Sequence, residues 1–192
     1  QFSKPLQSIT FNTKQSVAGI SFGKLQKPLL IKVGISAVST EGAKVNLQAE
    51  IPHWDFEKTK AETTDLWEKE LSKIIVEGKS DEQKEIFYTA LYHTMIAPNL
   101  YQDVDGRYRG MDQKTHQTKA FEYYTVFSLW DTYRATHPLF TLIEVQKTND
   151  FINTFLAKFD EGGILPIWDL SASYTGCMIG YHAVSVIADA FM

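Results

Sequence analysis

The hydrophobic pattern of this 192-residue chain changes its period near Ile51-Pro52, and this change limits the fold more than any other feature. Before it, apolar residues alternate with small or polar ones over residues 31–37, which predicts a half-buried strand. Weaker strand patterns cover residues 9–11 and 17–22. Because so few strands cannot close a barrel or complete a sandwich, we expect the tail of a β domain here.

After Pro52 the pattern becomes helical. From Asp55 to Val76, apolar residues recur every three or four positions with Lys and Glu opposite, which predicts a long amphipathic helix. Trp54 and Trp67 are interpreted as packing anchors, since large aromatic side chains usually serve burial. Further helices are predicted from Ser80 to Ala97, over residues 127–138, from Val145 to Phe159, and from near Cys177 onward.

The composition argues against several classes of function. A net charge of −4 without a dense basic run makes nucleic acid a poor partner. The single cysteine rules out an internal disulfide and a cysteine-rich zinc site. No apolar run is long enough to predict a membrane span, and residues 1–5 show no signal-peptide pattern. The helical pattern of residues 184–192 stops without a terminating residue, so we expect a longer protein.

The segment from Phe127 to Pro138 concentrates aromatic and charged residues. It contains Trp130, Asp131, Tyr133, Arg134 and His137. On a helix, Trp130, Arg134 and His137 would share roughly one face. A flat aromatic ring beside a carboxylate and a guanidinium is typical of sugar sites, because the ring stacks on C–H groups and the charged groups bind hydroxyls. The alternative is a core helix with Trp130 buried and Asp131 paired with Arg134.

Residues 101–112 invite a calcium interpretation, which the residue types do not support. With Gly106 at position six of an EF-hand loop, the first and last positions lack the usual acidic ligands. A tight turn that presents Arg107 and Arg109 is preferred. These arginines either meet a ligand or pair with nearby carboxylates.

The segment from Cys177 to His182 is a further candidate. Gly180 allows close backbone approach, and a helix start there would leave N–H groups free to face a ligand. A nucleophilic pair of this cysteine and histidine is weakly supported, since a spacing of five does not align them on one helix. His53, His93 and His116 have no second ligand at metal spacing.

Several short stretches occur together in the order of one known family. They are Val38–Ala43, Ala49–Asp55, Phe87–His93, Asp103–Gly110, Phe127–Arg134, Gly163–Trp168 and Cys177–His182. Through them the chain, from roughly residue 29 to the end, resembles the calcium-dependent exo-α-mannosidases of glycoside hydrolase family 92. The Trp130–Arg134 and Asp103–Gly110 strings are the most specific.

The resemblance implies an α+β multidomain fragment. Residues 1–52 would be the C-terminal strands of an N-terminal β-sandwich, 53–80 a linker helix, and 81–192 the first helices of an (α/α)6 toroid, the catalytic domain. It also implies an inverting mechanism, in which an acid and a base carboxyl group stand about 6.5–9.5 Å apart. A periplasmic or extracellular location is expected.

The resemblance also assigns roles to individual residues. Trp130 and Asp131 would line the mannose subsite. Further substrate contacts are expected from Arg134, His182 and Arg109. The family's Glu-Gly-Asn-Ala-Trp-like and Gly-Asn-Asp-Asp-like motifs are absent, so both catalytic carboxyl groups are expected after Met192. Calcium, which holds mannose hydroxyls in the family, would take its ligands mostly outside this chain, and no metal ligand is assigned here.

The implied function is removal of terminal α-linked mannose from N-glycan or mannan chains. The expected partners are a mannose-containing oligosaccharide and the rest of the same polypeptide. The chain alone is expected to be inactive, because proton transfer needs the missing carboxyl groups. Two alternatives stay open: a non-catalytic carbohydrate-binding or scaffold protein that retains part of the fold, and a helical interaction domain whose aromatics form its core.

Overall fold

The computed structural model describes residues 1–78 and 80–192. Its helices are α1 (Thr40–Glu50), α2 (Phe56–Leu71), α3 (Asp81–Thr94), α4 (Leu129–Thr132), α5 (Thr136–Ile143), α6 (Val145–Gly162) and α7 (His182–Phe191). Its strands are β1 (Ser8–Asn12), β2 (Val17–Ser21), β3 (Asn99–Leu100), β4 (Arg107–Arg109), β5 (Thr115–Gln117), β6 (Tyr124–Thr125), β7 (Asp169–Leu170) and β8 (Ser173–Tyr174). The strands form antiparallel pairs: β1 with β2, β3 with β6, β4 with β5, and β7 with β8.

The N-terminal strand predictions have a divided outcome. The hairpin of β1 and β2 confirms the strands predicted near residues 9–11 and 17–22. The half-buried strand predicted over residues 31–37 is wrong: this segment is extended and forms only one bridge, between Ile31 and Phe2. Its apolar side chains face solvent, with Ile35 82% exposed. The other side of this segment packs on residues 43–47. Gly34 lies there against Ala43 and Leu47, where a Cβ would have no room.

Helix α1 occupies residues that the sequence analysis assigned to the sandwich strands. Ser39 begins it as N-cap, and its Oγ accepts a hydrogen bond from Gly42 N at 3.0 Å. Glu41 in the first turn lies where the helix dipole favours an acidic residue. A capping serine followed by an acidic first turn was therefore a readable signal for this helix.

The two predicted helices that follow are confirmed, each with an earlier end: the second stops at Thr94 and not at Ala97. Asp55 caps α2, which ends at Leu71 instead of continuing to Val76. Ser80 caps α3 as predicted, accepting a hydrogen bond from Gln83 N at 3.3 Å. Trp67 packs edge-to-face on Tyr92 with ring centroids 4.6 Å apart, which joins the two helices.

The hydrophobic core lies where α5, α6 and α7 pack together. Its buried members are Tyr124, Phe127, Leu129, Phe140, Phe151, Phe155, Leu165, Ala183 and Val186. Helix α6 confirms the helix predicted from Val145 to Phe159. The last helix begins at His182 and not near Cys177, because Gly180 adopts a positive φ of 99° and interrupts any helix before it.

The sandwich, the toroid and the domain boundaries at residues 52 and 80 remain predictions. The described elements give a mixed α and β chain in which a surface hairpin precedes a helical core.

Candidate functional site

The segment that concentrates aromatic and charged residues is not one helix. Helix α4 ends at Thr132, residues 133–135 form a turn, and α5 begins at Thr136. Ala135 has φ −136° and ψ −55°, outside helical geometry, so the helical register is lost between the two pieces. The prediction of a continuous helix over residues 127–138 is therefore wrong.

The break separates His137 from the other candidates. His137 is only 3% exposed and lies among the rings of Phe140, Phe151 and Phe155. Burial lowers the pKa of His137 to about 4, so the ring is neutral near pH 7. The shared face predicted for Trp130, Arg134 and His137 is thus incorrect, since His137 belongs to the core.

Trp130 and Asp131 are accessible side chains on α4. Trp130 is 41% exposed, which excludes the alternative in which this tryptophan is buried in a core helix. Asp131 is also exposed, and one of its oxygens accepts a hydrogen bond from Ser128 Oγ. Within the described residues its other oxygen has no hydrogen-bond donor, and Asp131 does not pair with Arg134. One carboxylate oxygen of Asp131 and the exposed indole of the preceding residue are therefore each open to a ligand.

His182 joins Trp130 and Tyr133 into one aromatic cluster. Its imidazole lies against Tyr133 with centroids 4.2 Å apart and planes 12° apart, and it meets Trp130 at 5.5 Å and 66°. The Nε2 atom of His182 is buried without a hydrogen-bond partner in the described structure. Gly180 packs against this ring, where a Cβ would come 2.3 Å from Nε2. Helix α7 thus fixes the orientation of the aromatic surface that α4 presents.

Arg134 contacts the aromatic cluster through Tyr133. Its Nε donates a hydrogen bond to Tyr133 Oη at 2.7 Å, and its guanidinium carbon lies 5.2 Å from the centre of the Tyr133 ring. The remaining guanidinium N–H groups make no hydrogen bonds in the part of the chain described. Trp130, Tyr133 and His182 therefore form an aromatic cluster. The same short segment carries an exposed carboxylate and free guanidinium donors.

Arg109 has a different environment. Its Nε donates to Ala37 O at 2.8 Å and its Nη1 to Gln113 O at 2.9 Å. Two of the guanidinium nitrogens of Arg109 thus donate to backbone carbonyls. The bond to Ala37 also joins β4 to the segment before α1. Arg107 pairs with Asp105 at 2.7 Å, which is the carboxylate pairing predicted as one option for these arginines.

The remaining candidates have structural contacts. Asp103, in the loop considered for calcium, is buried and accepts hydrogen bonds from Ser36 Oγ and Asn46 Nδ2, each at 2.8 Å. Cys177 is exposed in the segment before α7, with its Sγ 3.2 Å from Thr175 Oγ1. The cysteine therefore does not share a helix with His182.

Among residues 1–78 and 80–192, no three His, Cys, Asp or Glu side chains come together as a metal site would require. No helix in the same ranges has both the length and the apolar character needed to cross a membrane.

A buried ion pair, absent from the sequence predictions, lies next to the segment that carries the site. Lys158 and Asp169 are both fully buried, with Nζ 2.7 Å from Oδ2. A signal existed for Lys158, which lies three residues after Phe155 and seven after Phe151 on the apolar side of α6. A lysine at such a position requires a buried partner.

The site combines an exposed aromatic surface with hydrogen-bonding charged groups on the same segment, a combination of chemistry suited to stacking on C–H groups and binding hydroxyls. Residues 42–192 match the glycosyl hydrolase family 92 catalytic domain. The chain belongs to this family.

Solved structures and a fungal relative agree with this assignment. The chain is similar to a family GH92 alpha-mannosidase of Bacteroides thetaiotaomicron, with 46% identity and a TM-score of 0.74 over 80% of this chain and 21% of that one. A family GH92 inverting mannosidase of the same organism has 28% identity and a TM-score of 0.85 over 100% of this chain and 28% of that one. An uncharacterized secreted glycosidase of Arthroderma benhamiae is 32% identical over 107 residues, covering 54% of this chain and 13% of that protein. The chain thus spans less than a third of each relative.

Proposed function

We propose that this chain supplies one wall of the mannose-binding subsite of an α-mannosidase. The observation that carries the proposal is the aromatic cluster, in which His182 lies edge-on against the exposed indole of Trp130. The next residue in the chain, Asp131, has an accessible carboxylate. Support for mannose as the sugar comes from the mannosidase relatives, one of which is a GH92 alpha-mannosidase in complex with mannoimidazole. The wider substrate class proposed is N-glycan or mannan chains that end in α-linked mannose.

Each member of the site has a separate role in this proposal. The exposed indole of Trp130 stacks on the C–H face of the sugar, because a ring held edge-on by His182 is already oriented. The open oxygen of Asp131 accepts hydrogen bonds from sugar hydroxyls, and the free N–H groups of Arg134 donate them. Such contacts accelerate the reaction only as far as they favour the transition state over the ground state.

Catalysis is proposed to follow the inverting mechanism. One carboxylic acid protonates the leaving oxygen while a carboxylate on the other face of the sugar activates water. Both groups are proposed to come from parts of the full-length protein outside these 192 residues. The isolated chain is therefore proposed to release no mannose.

Calcium is proposed as a cofactor of the full-length protein. The described residues alone do not bring together a set of acidic or histidine ligands for it, so its ligands would come mostly from the rest of the polypeptide. No step is assigned to the ion here. The relative from Arthroderma benhamiae is called secreted, which supports a periplasmic or extracellular location.

The test is mannose release from α-linked mannobioses by the complete gene product. We expect activity that a chelator removes and calcium restores. Proton NMR of the first product should show β-mannose, since inversion at an α-linkage gives the β-anomer. An initial α-anomer would contradict the inverting mechanism, and no hydrolysis with intact mannoimidazole binding would favour the non-catalytic carbohydrate-binding alternative.

A further inference from the structure

A strained residue lies directly before the segment that carries the site. Val126 has a φ of 66°, a left-handed conformation that is a rare outlier for a β-branched residue. Ser171, on the neighbouring segment, also has a positive φ of 55°. Such conformations cost free energy and persist only where surrounding contacts enforce them.

One buried carboxylate contacts both neighbours of Val126. Asp169 Oδ2 accepts a hydrogen bond from Thr125 Oγ1 at 2.8 Å, and Oδ1 accepts one from Phe127 N at 3.2 Å. Thr125 Oγ1 also lies 3.1 Å from Ser171 O. The side chain of the residue before the strained valine and the backbone N–H of the residue after it are therefore bonded to the same fully buried group.

Lys158 fixes the position of that carboxylate. Its Nζ lies 2.7 Å from Asp169 Oδ2 and 4.8 Å from the centre of the Tyr123 ring. Burial lowers the pKa of Lys158, while the negative charge of Asp169 opposes this shift. Since α6 is anchored in the core, the carboxylate has little freedom to move.

The constraint at Asp169 continues along the backbone to the site. Residue 128 forms an antiparallel bridge with Trp168, and Leu129 N donates to Ile167 O at 3.2 Å. The next residues are Trp130 and Asp131 at the start of α4. Residues 125–129 thus lie beside residues 167–171 and are bonded to them at Asp169. The first of these segments leads directly into the aromatic cluster.

We propose that Asp169, held by Lys158, is a positioning residue that keeps Val126 left-handed and thereby sets the position of Trp130 and Asp131. This inference rests on the function proposed above. Stability alone explains the arrangement poorly, because a buried ion pair is often no more stabilising than apolar residues of similar volume. The contacts of Asp169 with the residues before and after Val126 give this carboxylate a specific geometric role.

A mutant cycle between Asp169 and Val126 in the complete gene product tests the proposal. Glycine adopts positive φ readily, so Val126→Gly removes the need for the carboxylate to enforce that conformation. We expect Asp169→Asn to raise the Kd of mannoimidazole about tenfold. In the Val126→Gly background the same substitution should raise the Kd less than about threefold. Equal effects in both backgrounds would overturn the proposal.

Thr125→Val provides a milder test in case Asp169→Asn does not fold. It removes one hydrogen bond to Asp169 and leaves the ion pair in place. We expect a rise in the mannoimidazole Kd of about threefold or more, again reduced in the Val126→Gly background. An unchanged Kd with a lowered unfolding temperature would show a merely structural role and reject the proposal.

Glu161→Gln is the matched control. Glu161 also lies on α6 and accepts hydrogen bonds from Tyr108 Oη, Tyr123 Oη and Met111 N. None of these bonds involves residues 125–127 or Asp169. It should lower stability without changing the mannoimidazole Kd. Failure of the proposed function would look different, because Trp130→Ala would then also leave that Kd unchanged.

Discussion

The imidazole of His182 lies nearly parallel to the phenol ring of Tyr133, with centroids 4.2 Å apart and planes 12° apart. Tyr133 follows α4 directly, and His182 is the first residue of α7, so this contact joins the two elements that build the site. The same imidazole meets Trp130 edge-on. The position of His182 therefore decides how the indole ring is presented to a sugar.

Gly180→Ala should displace His182 and weaken sugar binding. Gly180 has a φ of 99°, and a Cβ there would lie 2.3 Å from His182 Nε2. We expect the mannoimidazole Kd of the complete gene product to rise about tenfold, measured by calorimetry. Gly176→Ala is the control: Gly176 has a φ of 66° and open space around it, so it shares the backbone strain without the clash. A similar Kd for both variants would show that the imidazole contact is unimportant.

Trp130→Ala and Asp131→Ala should each lower kcat/KM for α-mannosides more than about tenfold, or about 1.4 kcal/mol in transition-state binding. The reason is the loss of the stacking ring in one variant and of the hydroxyl acceptor in the other. Steady-state kinetics of the complete gene product provide the measurement.

Two matched controls separate this effect from general damage. Trp54 is 37% exposed, close to the 41% of Trp130, and lies under Lys32 Nζ away from the aromatic cluster. Asp65 is an exposed carboxylate on α2. Trp54→Ala and Asp65→Ala should keep near wild-type kinetics. Equal losses in controls and site variants would return Trp130 and Asp131 to a packing role.

Part of this site was predictable because it depends on residue types. The residue pattern left Trp130 and Asp131 either in a sugar site or in a core helix, and the family resemblance favoured the sugar site. The structure leaves both side chains accessible, and their role in binding stays a prediction. Helical periodicity also predicted α6, and a capping serine predicted the start of α3. Both signals can be read from the sequence because amphipathic and capping patterns are local properties.

The rest depends on contacts between distant segments. His182 reaches Tyr133 only because α7 packs next to α4, and Asp169 reaches Phe127 only because two loops run together. The extended segment at 31–37 shows the same limit. The alternation of apolar and polar residues in this segment was visible in the sequence. Which set of side chains faces the protein is decided by the contact of the small Gly34 with α1.

Lys158→Met should destabilise the complete gene product strongly. It leaves the fully buried carboxylate of Asp169 without its cation, and breaking such a pair costs about 3–5 kcal/mol. Denaturant unfolding followed by intrinsic fluorescence measures the loss. The double variant Lys158→Met with Asp169→Asn should lose less than the sum of the single losses, since no unpaired charge remains. Lys119→Met, at an exposed lysine, is the control, and equal losses at both lysines would contradict this role for the pair.

His137 should make stability depend on pH. Its pKa in the folded protein is about 4 because of burial, whereas an exposed histidine has a pKa of about 6.5. As pH falls below about 6.5, the unfolded state takes up a proton that the folded state does not, so stability is lost until both are protonated near pH 4. Once both states are protonated, the loss in the free energy of unfolding amounts to about 3 kcal/mol.

His137→Leu should therefore remove part of the acid sensitivity of the fold. Leucine fills the site among the phenylalanine rings, and it also removes the buried Nδ1 atom that has no hydrogen-bond partner in the described structure. The measurement is the unfolding midpoint of the complete gene product at several pH values between about 4 and 7. His93→Gln serves as the control at an exposed histidine and should keep the wild-type slope. If His137→Leu keeps that slope as well, the imidazole does not stay neutral in the core.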